Sequence, residues 1–140
     1  MLTPPIRPRL LVDRAVRWAG MPVPRYFLAI VCSGAIFLAS SRSSLPISTP
    51  YGLDKLLHFL SYFVLGWSYL NVATGGFSIL SRNRILIGWV AALAFAFSDE
   101  WHQSFVPKRI PDVWDLLADM GGITAALLLT AWLLPRWKKP

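Results

Sequence analysis

Ionisable and hydrogen-bonding side chains recur at helical spacing in three short segments of this chain. Asp54, His58 and Tyr62 follow one another at intervals of four residues, which places them on one face of a helix. In the second segment, Glu100 and Gln103 are three residues apart. The third segment carries acidic residues at intervals of three and four, namely Asp112, Asp115 and Asp119. If the fold brings these segments together, the sequence predicts one shared polar cluster.

Such a cluster is compatible with a structural role or with ligand binding. Polar side chains close to lipid need partners, so the cluster could be a buried network that joins helices. The residues of that network would be Asp54, His58, Glu100, Arg109 and Asp115. In the ligand-binding interpretation, cationic side chains bind phosphate or carboxylate and the acids bind amine or hydroxyl groups. The cations available for this are Lys55, Lys108 and Arg109.

A catalytic role is the third interpretation. Asp54 could orient His58 as a general base, or His58, Glu100 and Asp115 could hold a divalent metal. The chain contains no HExxH, CxxC or GxSxG motif and no phosphate-binding glycine loop, so the sequence specifies neither a reaction nor a cofactor. The candidate ligand-binding or structural residues are Asp54, Lys55, His58, Tyr62, Asp99, Glu100, Gln103, Arg109, Asp112, Asp115 and Asp119.

The composition indicates that membrane helices position these residues. Hydrophobic side chains make up 55% of the chain, charged ones 15%, and the mean hydropathy is +0.50. Soluble domains usually contain about 25% charged residues. A small soluble core could not hide so many apolar residues, because small domains keep much of their surface exposed. The composition therefore predicts a protein that has the bilayer as its solvent.

Four apolar runs predict an all-α, polytopic fold with four transmembrane helices. The third run, residues 85–98, is short for a span, so we expect its helix to continue through Asp99, Glu100 and Gln103. Pro135 is expected to close the last helix. Gly121 and Gly122 in the last run favour close helix packing. The four runs are residues 26–41, 56–73, 85–98 and 116–134.

The distribution of basic residues predicts that both termini are cytoplasmic. Ten of the 14 Lys and Arg residues lie in the N-terminal segment, the middle loop and the C-terminus, and positive charge favours the cytoplasmic side. Six of the 7 acidic residues then face outward. Acidic residues contribute little to the orientation of membrane helices. Their location on the outward side could therefore have a functional cause.

The predicted organisation is a basic N-terminal segment (1–25), a transmembrane domain (26–134) and a basic cytoplasmic tail (135–140). Residues 7–20 could form an interfacial helix or belong to a disordered basic tail. No signal peptide pattern is recognised at the N-terminus, so no cleavage is expected. Despite the net charge of +7, no nucleic-acid motif is present, and membrane lipids are the predicted partners of the basic residues.

The polar residues also match a family pattern. The chain resembles the VanZ-like family of small membrane proteins through two signatures. They read Asp54-Lys55-x-x-His58-Phe59-x-x-Tyr62-x-x-Leu65-Gly66 and Ser98-Asp99-Glu100-x-x-Gln103-x-Phe105-x-Pro107-x-Arg109-x-x-Asp112-x-x-Asp115. A departure occurs at Asp119, where the family usually has asparagine. The resemblance implies a multi-helix protein of the bacterial inner membrane and, for the founding member, low-level resistance to the glycopeptide teicoplanin. It implies no settled reaction.

Three functional hypotheses follow. The first is that the outward cluster binds a polar envelope ligand, such as a cell-wall precursor or a glycopeptide. In the second, the protein is an accessory subunit packed against a larger membrane complex, for example a respiratory or light-harvesting assembly. The third is a membrane-embedded hydrolase or transferase, so enzymatic activity is left open at this point.

Overall fold

The computed structural model describes residues 22–42, 52–109 and 112–137. These ranges contain four α-helices and no strand, which confirms the predicted all-α class. The predicted interfacial helix within residues 7–20 and the tail beyond residue 137 lie outside the described residues. The helices are α1 (Pro22–Ser40), α2 (Leu53–Ala73), α3 (Arg82–Gln103) and α4 (Val113–Trp137).

Helix α3 is longer than its apolar run, as the sequence predicts. It begins after Ser81, whose side-chain oxygen accepts the backbone N–H of Arg84 at 3.3 Å as an N-cap. It ends at Gln103 and therefore includes Asp99 and Glu100. The continuation confirms that these polar residues lie on the last turns of a helix rather than in a loop.

Helix α4 does not end at its proline. The helix runs through Pro135 to Trp137, so the expectation that Pro135 closes it is wrong. A proline removes its own N–H donor and disfavours helical conformation in the residue before it. In the final turn this costs one hydrogen bond, and the residues after the proline can keep helical dihedral angles.

Helices α2 and α4 form the most extensive helix pair, and they run parallel. Lys55 near the start of α2 contacts Asp112 at the start of α4, and Gly66 further along packs on Ile123. A Cβ at Gly66 would lie 2.9 Å from the Ile123 Cα. A Cβ at Gly122 would lie within 3.0 Å of two backbone atoms of α2. The predicted close packing is confirmed at Gly122.

The surface of the helices is apolar, and much of the buried interior is polar. Two helical segments, Leu53–Ala73 and Val113–Trp132, are long and apolar enough to cross a membrane. The apolar part of α1, Arg25–Ser40, is shorter. Large apolar side chains such as Ile87 and Leu128 are exposed on the outside, whereas Asp119 is buried. This distribution is typical of helices that have lipid as their solvent.

Candidate functional site

The three polar stripes meet at one end of the helix bundle. Helices α2 and α4 begin there, and α1 and α3 end there. We call this set of residues the polar cluster. The contacts described below include each of the eleven residues predicted from the sequence and one further residue, Ser40, that the sequence did not predict.

Asp99 joins three helices. Its carboxylate accepts hydrogen bonds from the Ser40 hydroxyl of α1 at 2.5 Å and from the Tyr62 hydroxyl of α2 at 2.9 Å. The Gln103 side-chain amide, one turn further along α3, donates to it at 3.1 Å. Asp99 is only 3% exposed. Because buried carboxylates need hydrogen-bond donors, these three contacts make Asp99 the centre of a saturated network.

Arg109 extends this network to the end of α1. The Gln103 side-chain oxygen accepts one guanidinium N–H of Arg109 at 2.8 Å. The same guanidinium donates to the backbone carbonyls of Arg42 at 3.3 Å and Ala39 at 3.5 Å. The last carbonyls of a helix have no partner within it, so Arg109 satisfies part of the C-terminal end of α1. The contacts hold the loop after α3 against the end of α1.

Lys55 is surrounded by carboxylates. Its ammonium nitrogen lies 2.5 Å from Asp112, 2.6 Å from Asp115 and 3.2 Å from Asp54. The sequence interpretation in which Lys55, Lys108 and Arg109 bind phosphate or carboxylate stays a prediction. The ammonium of Lys55 is occupied by acids of its own chain, and its contacts lie on the α2–α4 side of the cluster. Lys108, the third predicted cation, is exposed.

His58 is oriented by Asp119 rather than by Asp54. The Nδ1 atom of His58 lies 2.9 Å from the Asp119 carboxyl, so the two side chains share a hydrogen bond whose donor depends on the tautomer of the imidazole. The other ring nitrogen, Nε2, lies 3.7 Å from Asp115. Asp119 is 1% exposed, so the carboxylate that departs from the family pattern is the buried partner of the histidine.

Glu100 has one satisfied and one unsatisfied oxygen. Its Oε1 atom accepts the backbone N–H of Asp112 at 2.9 Å, which fastens the end of α3 to the start of α4. Its Oε2 atom is buried and has no hydrogen-bond partner among the described residues. An unpaired buried carboxylate oxygen is energetically costly, so this atom distinguishes Glu100 from the saturated residues around it.

The predicted metal ligands do not form a metal site in this arrangement. Within the described ranges, no group of three or more His, Cys, Asp or Glu side chains is placed to hold a metal ion. Asp115 approaches His58, but the same Asp115 oxygen contacts Lys55 at 2.6 Å. Glu100 instead uses Oε1 to bind the backbone of Asp112.

Asp112 caps α4 and contacts α2. One of its carboxylate oxygens accepts the backbone N–H of Trp114 at 2.9 Å, and the other contacts Lys55. The ammonium of Lys55, followed by the Trp114 N–H, lowers the pKa of the Asp112 carboxyl below its ordinary value of 3.8. The folded protein therefore holds this carboxylate in its charged form more firmly than the unfolded chain does.

This shift predicts a pH-dependent contribution of Asp112 to stability. A carboxyl whose pKa is lowered by folding stabilises the protein above its unfolded pKa and loses that effect as the pH falls through the folded value. In detergent micelles at pH 6, Asp112→Asn should have a lower melting temperature than the wild type. Asparagine keeps the capping acceptor, so the comparison isolates the charge. The difference should shrink as the pH falls below about 3.8, and a constant difference across the range would contradict this assignment.

Ser40 and the neighbouring Ser41 were not predicted as site residues. They follow the apolar run of α1, and nothing in their spacing distinguishes them from serines that end a span. Ser41 pairs with His102, whose Nε2 lies 3.0 Å from its hydroxyl oxygen. His102 also stacks on Phe37, with ring centroids 4.5 Å apart. These contacts place His102 between α1 and α3, on a different side of α3 from Glu100.

The described residues form a helical bundle with a polar network at one end and two helices long and apolar enough to cross a membrane. The family comparison identifies its class more closely. The VanZ/LLP1 family model matches residues 18–134, and the chain belongs to that family. No curated protein and no solved structure gives a significant match. The resemblance inferred from the two polar signatures is thereby confirmed.

Proposed function

We propose that the protein crosses the bacterial inner membrane four times, with both termini in the cytoplasm and the polar cluster on the outer side. The parallel packing of α2 and α4 supports this, because alternate helices of such a bundle cross in the same direction. Helix α3 has 22 residues, about 33 Å at 1.5 Å per residue, so its charged ends can reach both headgroup regions while its apolar run, residues 85–98, lies between them. The excess of basic residues at both termini and in the middle loop supports the orientation.

We infer that the polar cluster binds the polar part of an envelope ligand. The observation that carries this inference is the buried Oε2 atom of Glu100, which has no hydrogen-bond partner in the described part of the chain. A carboxylate oxygen accepts hydrogen bonds, so the complementary ligand group is an ammonium, an amide N–H or a hydroxyl. Cell-wall precursors and glycopeptides carry such groups on molecules that meet the outer face of the membrane.

The cluster divides into two parts with different roles. Asp99, Gln103 and Arg109 are hydrogen-bonded to one another and to α1, which supports a role in holding the helices. Glu100 and Asp54 lie on the side of α2 and α4, where Asp54 keeps 44% of its side chain exposed. The second part supplies acceptors for a ligand, and the first part holds α3 in the position that presents Glu100.

Changing Glu100 to glutamine tests this proposal. Glutamine keeps an oxygen for the Asp112 N–H but replaces one acceptor by an amide donor. With the protein in nanodiscs, binding of teicoplanin and of a soluble muramyl pentapeptide should weaken about tenfold, the effect of one hydrogen bond to a charged group. Ser104→Ala, an exposed change one residue after α3, should leave binding as in the wild type.

The binding results are interpreted together with the thermal stability of each variant. If Glu100→Gln melts like the wild type and binds either probe equally well, the role of Glu100 is wrong. If the wild type binds neither probe, the proposed ligand class is wrong.

The saturation of Asp99 and its neighbours also favours a second candidate, in which the cluster only fastens helices of an accessory subunit. Under that hypothesis the protein packs against a larger membrane complex. Purification in a mild detergent should then recover defined partners in fixed proportion, and Glu100→Gln should alter neither that recovery nor probe binding.

A further inference from the structure

A groove lies beside the joined ends of α1 and α3, on the outside of the bundle. Its volume is about 310 Å³, at the lower end of the range for small-molecule sites. Four aromatic rings, one on α1, two on α3 and one after it, supply most of its wall, and three polar residues complete it. The lining residues are Phe37, Phe95, Ser98, Asp99, Trp101, His102 and Phe105.

The groove lies on a surface with the character of a lipid-facing one. Trp101 and Phe105, which line it, are 70% and 69% exposed. Leu38 on α1 and Phe97 on α3 are also large, apolar and exposed. In a membrane protein, side chains of this kind contact acyl chains. Most of the groove is therefore expected to contact the acyl chains of lipids.

Polar and basic residues lie next to His102, a lining residue of the groove, although they do not line it themselves. His102 in its wall pairs with Ser41, and Ser41 is followed by the exposed Arg42. The Arg109 guanidinium lies beside them, since its Nε donates to the Arg42 carbonyl at 3.3 Å. Arginine has five N–H donors, and the described contacts of Arg109 use three nitrogen atoms without exhausting those donors. We call Ser41, Arg42, His102 and Arg109 the basic rim.

The charges of the cluster are therefore sorted by side. The acids that surround Lys55 contact α2 and α4, whereas the basic rim lies with α1 and the loop after α3. Asp99 lies between the two sides, and its carboxylate accepts hydrogen bonds from three uncharged side chains, those of Ser40, Tyr62 and Gln103. An anion at the basic rim would meet arginine and histidine rather than the carboxylates that bind Lys55.

We propose that this groove binds an anionic membrane lipid, with a hydrocarbon chain along the aromatic wall and the lipid phosphate at the basic rim. The apolar wall matches the chain, and the arginines match the phosphate. This proposal does not depend on ligand binding at Glu100, because Glu100 does not line the groove and contacts Asp112 at the start of α4 instead. It depends on the outer ends of α1 and α3 lying at headgroup depth.

Photolabelling of the full chain in nanodiscs tests the proposal. The probe is phosphatidylglycerol with a diazirine in one acyl chain, and labelled peptides are identified by mass spectrometry. We expect labelling to concentrate on the α1 and α3 residues of the groove. Ser98→Trp should fill the groove and remove that labelling. Ala131→Trp, which adds the same side chain at an exposed position of α4, should leave it unchanged.

Competition distinguishes the lipid phosphate from its alternatives. Unlabelled phosphatidylglycerol should displace the probe, whereas diacylglycerol and inorganic phosphate should not. Arg42→Gln should reduce the preference for the anionic lipid about fivefold, the contribution of one basic residue near a membrane surface. The Arg42→Gln measurement does not require the bulky Ser98→Trp variant to fold.

Several outcomes would overturn the proposal. Labelling spread evenly over exposed apolar residues of all four helices would mean that the groove is ordinary lipid-facing surface. Equal competition by diacylglycerol, or an unchanged preference in Arg42→Gln, would exclude recognition of the phosphate. Displacement by inorganic phosphate alone would assign the basic rim to a soluble anion rather than to a lipid.

Discussion

Replacing Gly122 with alanine should destabilise the protein by about 1–3 kcal/mol, the usual cost of an added group in a well-packed contact. The new Cβ would lie within 3.0 Å of the Phe59 carbonyl oxygen and of the Phe63 nitrogen, which are both backbone atoms of α2. Backbone atoms of a helix cannot turn away as a side chain can. The change should therefore push α2 and α4 apart along their whole interface.

The adjacent glycine provides a matched control. A Cβ at Gly121 would lie 3.5 Å from the Phe59 ring, which is ordinary contact. Gly121→Ala should therefore be neutral, or should stabilise the helix by up to about 1 kcal/mol through the better helix propensity of alanine. Thermal or denaturant unfolding in detergent micelles compares the two variants with the wild type. Equal stability of Gly122→Ala and Gly121→Ala would contradict the close approach of α2 and α4.

Gly122→Ala should also affect the polar cluster. The pairs Lys55–Asp115 and His58–Asp119 both bridge α2 and α4, near the start of the helices that Gly122 holds together. If α2 and α4 separate, these contacts lengthen and the acids lose their partners. Gly122→Ala should therefore weaken probe binding at Glu100 even where the protein remains folded, whereas Gly121→Ala should not.

Removal of the Asp99 carboxylate should have the largest effect of any change in the polar cluster. Asp99→Ala leaves the donors of Tyr62 and Gln103 without their acceptor, and the Ser40 hydroxyl keeps only the Phe37 carbonyl of its own helix. Each buried group left unsatisfied costs about 1–3 kcal/mol, although neighbouring losses are not additive. The contact between α1 and the rest of the bundle should loosen first, because Ser40 belongs to α1.

Controls separate this network from the general effect of a change near the end of α3. Ser98→Ala alters the adjacent exposed residue, whose hydroxyl donates only to the Phe95 carbonyl of its own helix among the described contacts. It should have little effect on unfolding. A double-mutant cycle with Tyr62→Phe measures the coupling directly. Tyr62→Phe should destabilise the wild type but cost less in Asp99→Ala, and additive effects would contradict the Tyr62–Asp99 hydrogen bond.

The contacts give the two family signatures a physical interpretation. In the first, Lys55 and His58 face the aspartates of α4, while Tyr62 reaches Asp99 on α3. In the second signature, residues of two groups with different contacts are mixed along the sequence. Asp99, Gln103 and Arg109 connect to one another and to α1, whereas Glu100 and the two later aspartates connect α3, α4 and α2. Within each helix, the spacing of a signature follows from which residues share a helix face.

Much of the fold was predictable because its signals are local. The apolar runs predicted helices, and the short third run predicted the continuation of α3 through Asp99 to Gln103. The polar stripes followed from the helical period, which needs only residues three or four positions apart. Gly122 could be recognised as a packing residue because small residues permit close approach of helices in membranes. The predicted end of α4 was wrong, because a proline in the final turn removes only one backbone hydrogen bond and does not stop the helix.

The pairings inside the cluster depended on the tertiary structure. His58 and Asp119 are 61 positions apart, Ser40 and Asp99 are 59 apart, and the Arg109 contact with the Ala39 carbonyl spans 70. No helical period relates such residues, so the sequence could assign His58 to Asp54 as readily as to Asp119. Their partners are decided by the parallel packing of α2 on α4 and by where α1 ends beside α3. The sequence by itself determined which side chains share a helix face, and the packing of the helices decided which faces meet.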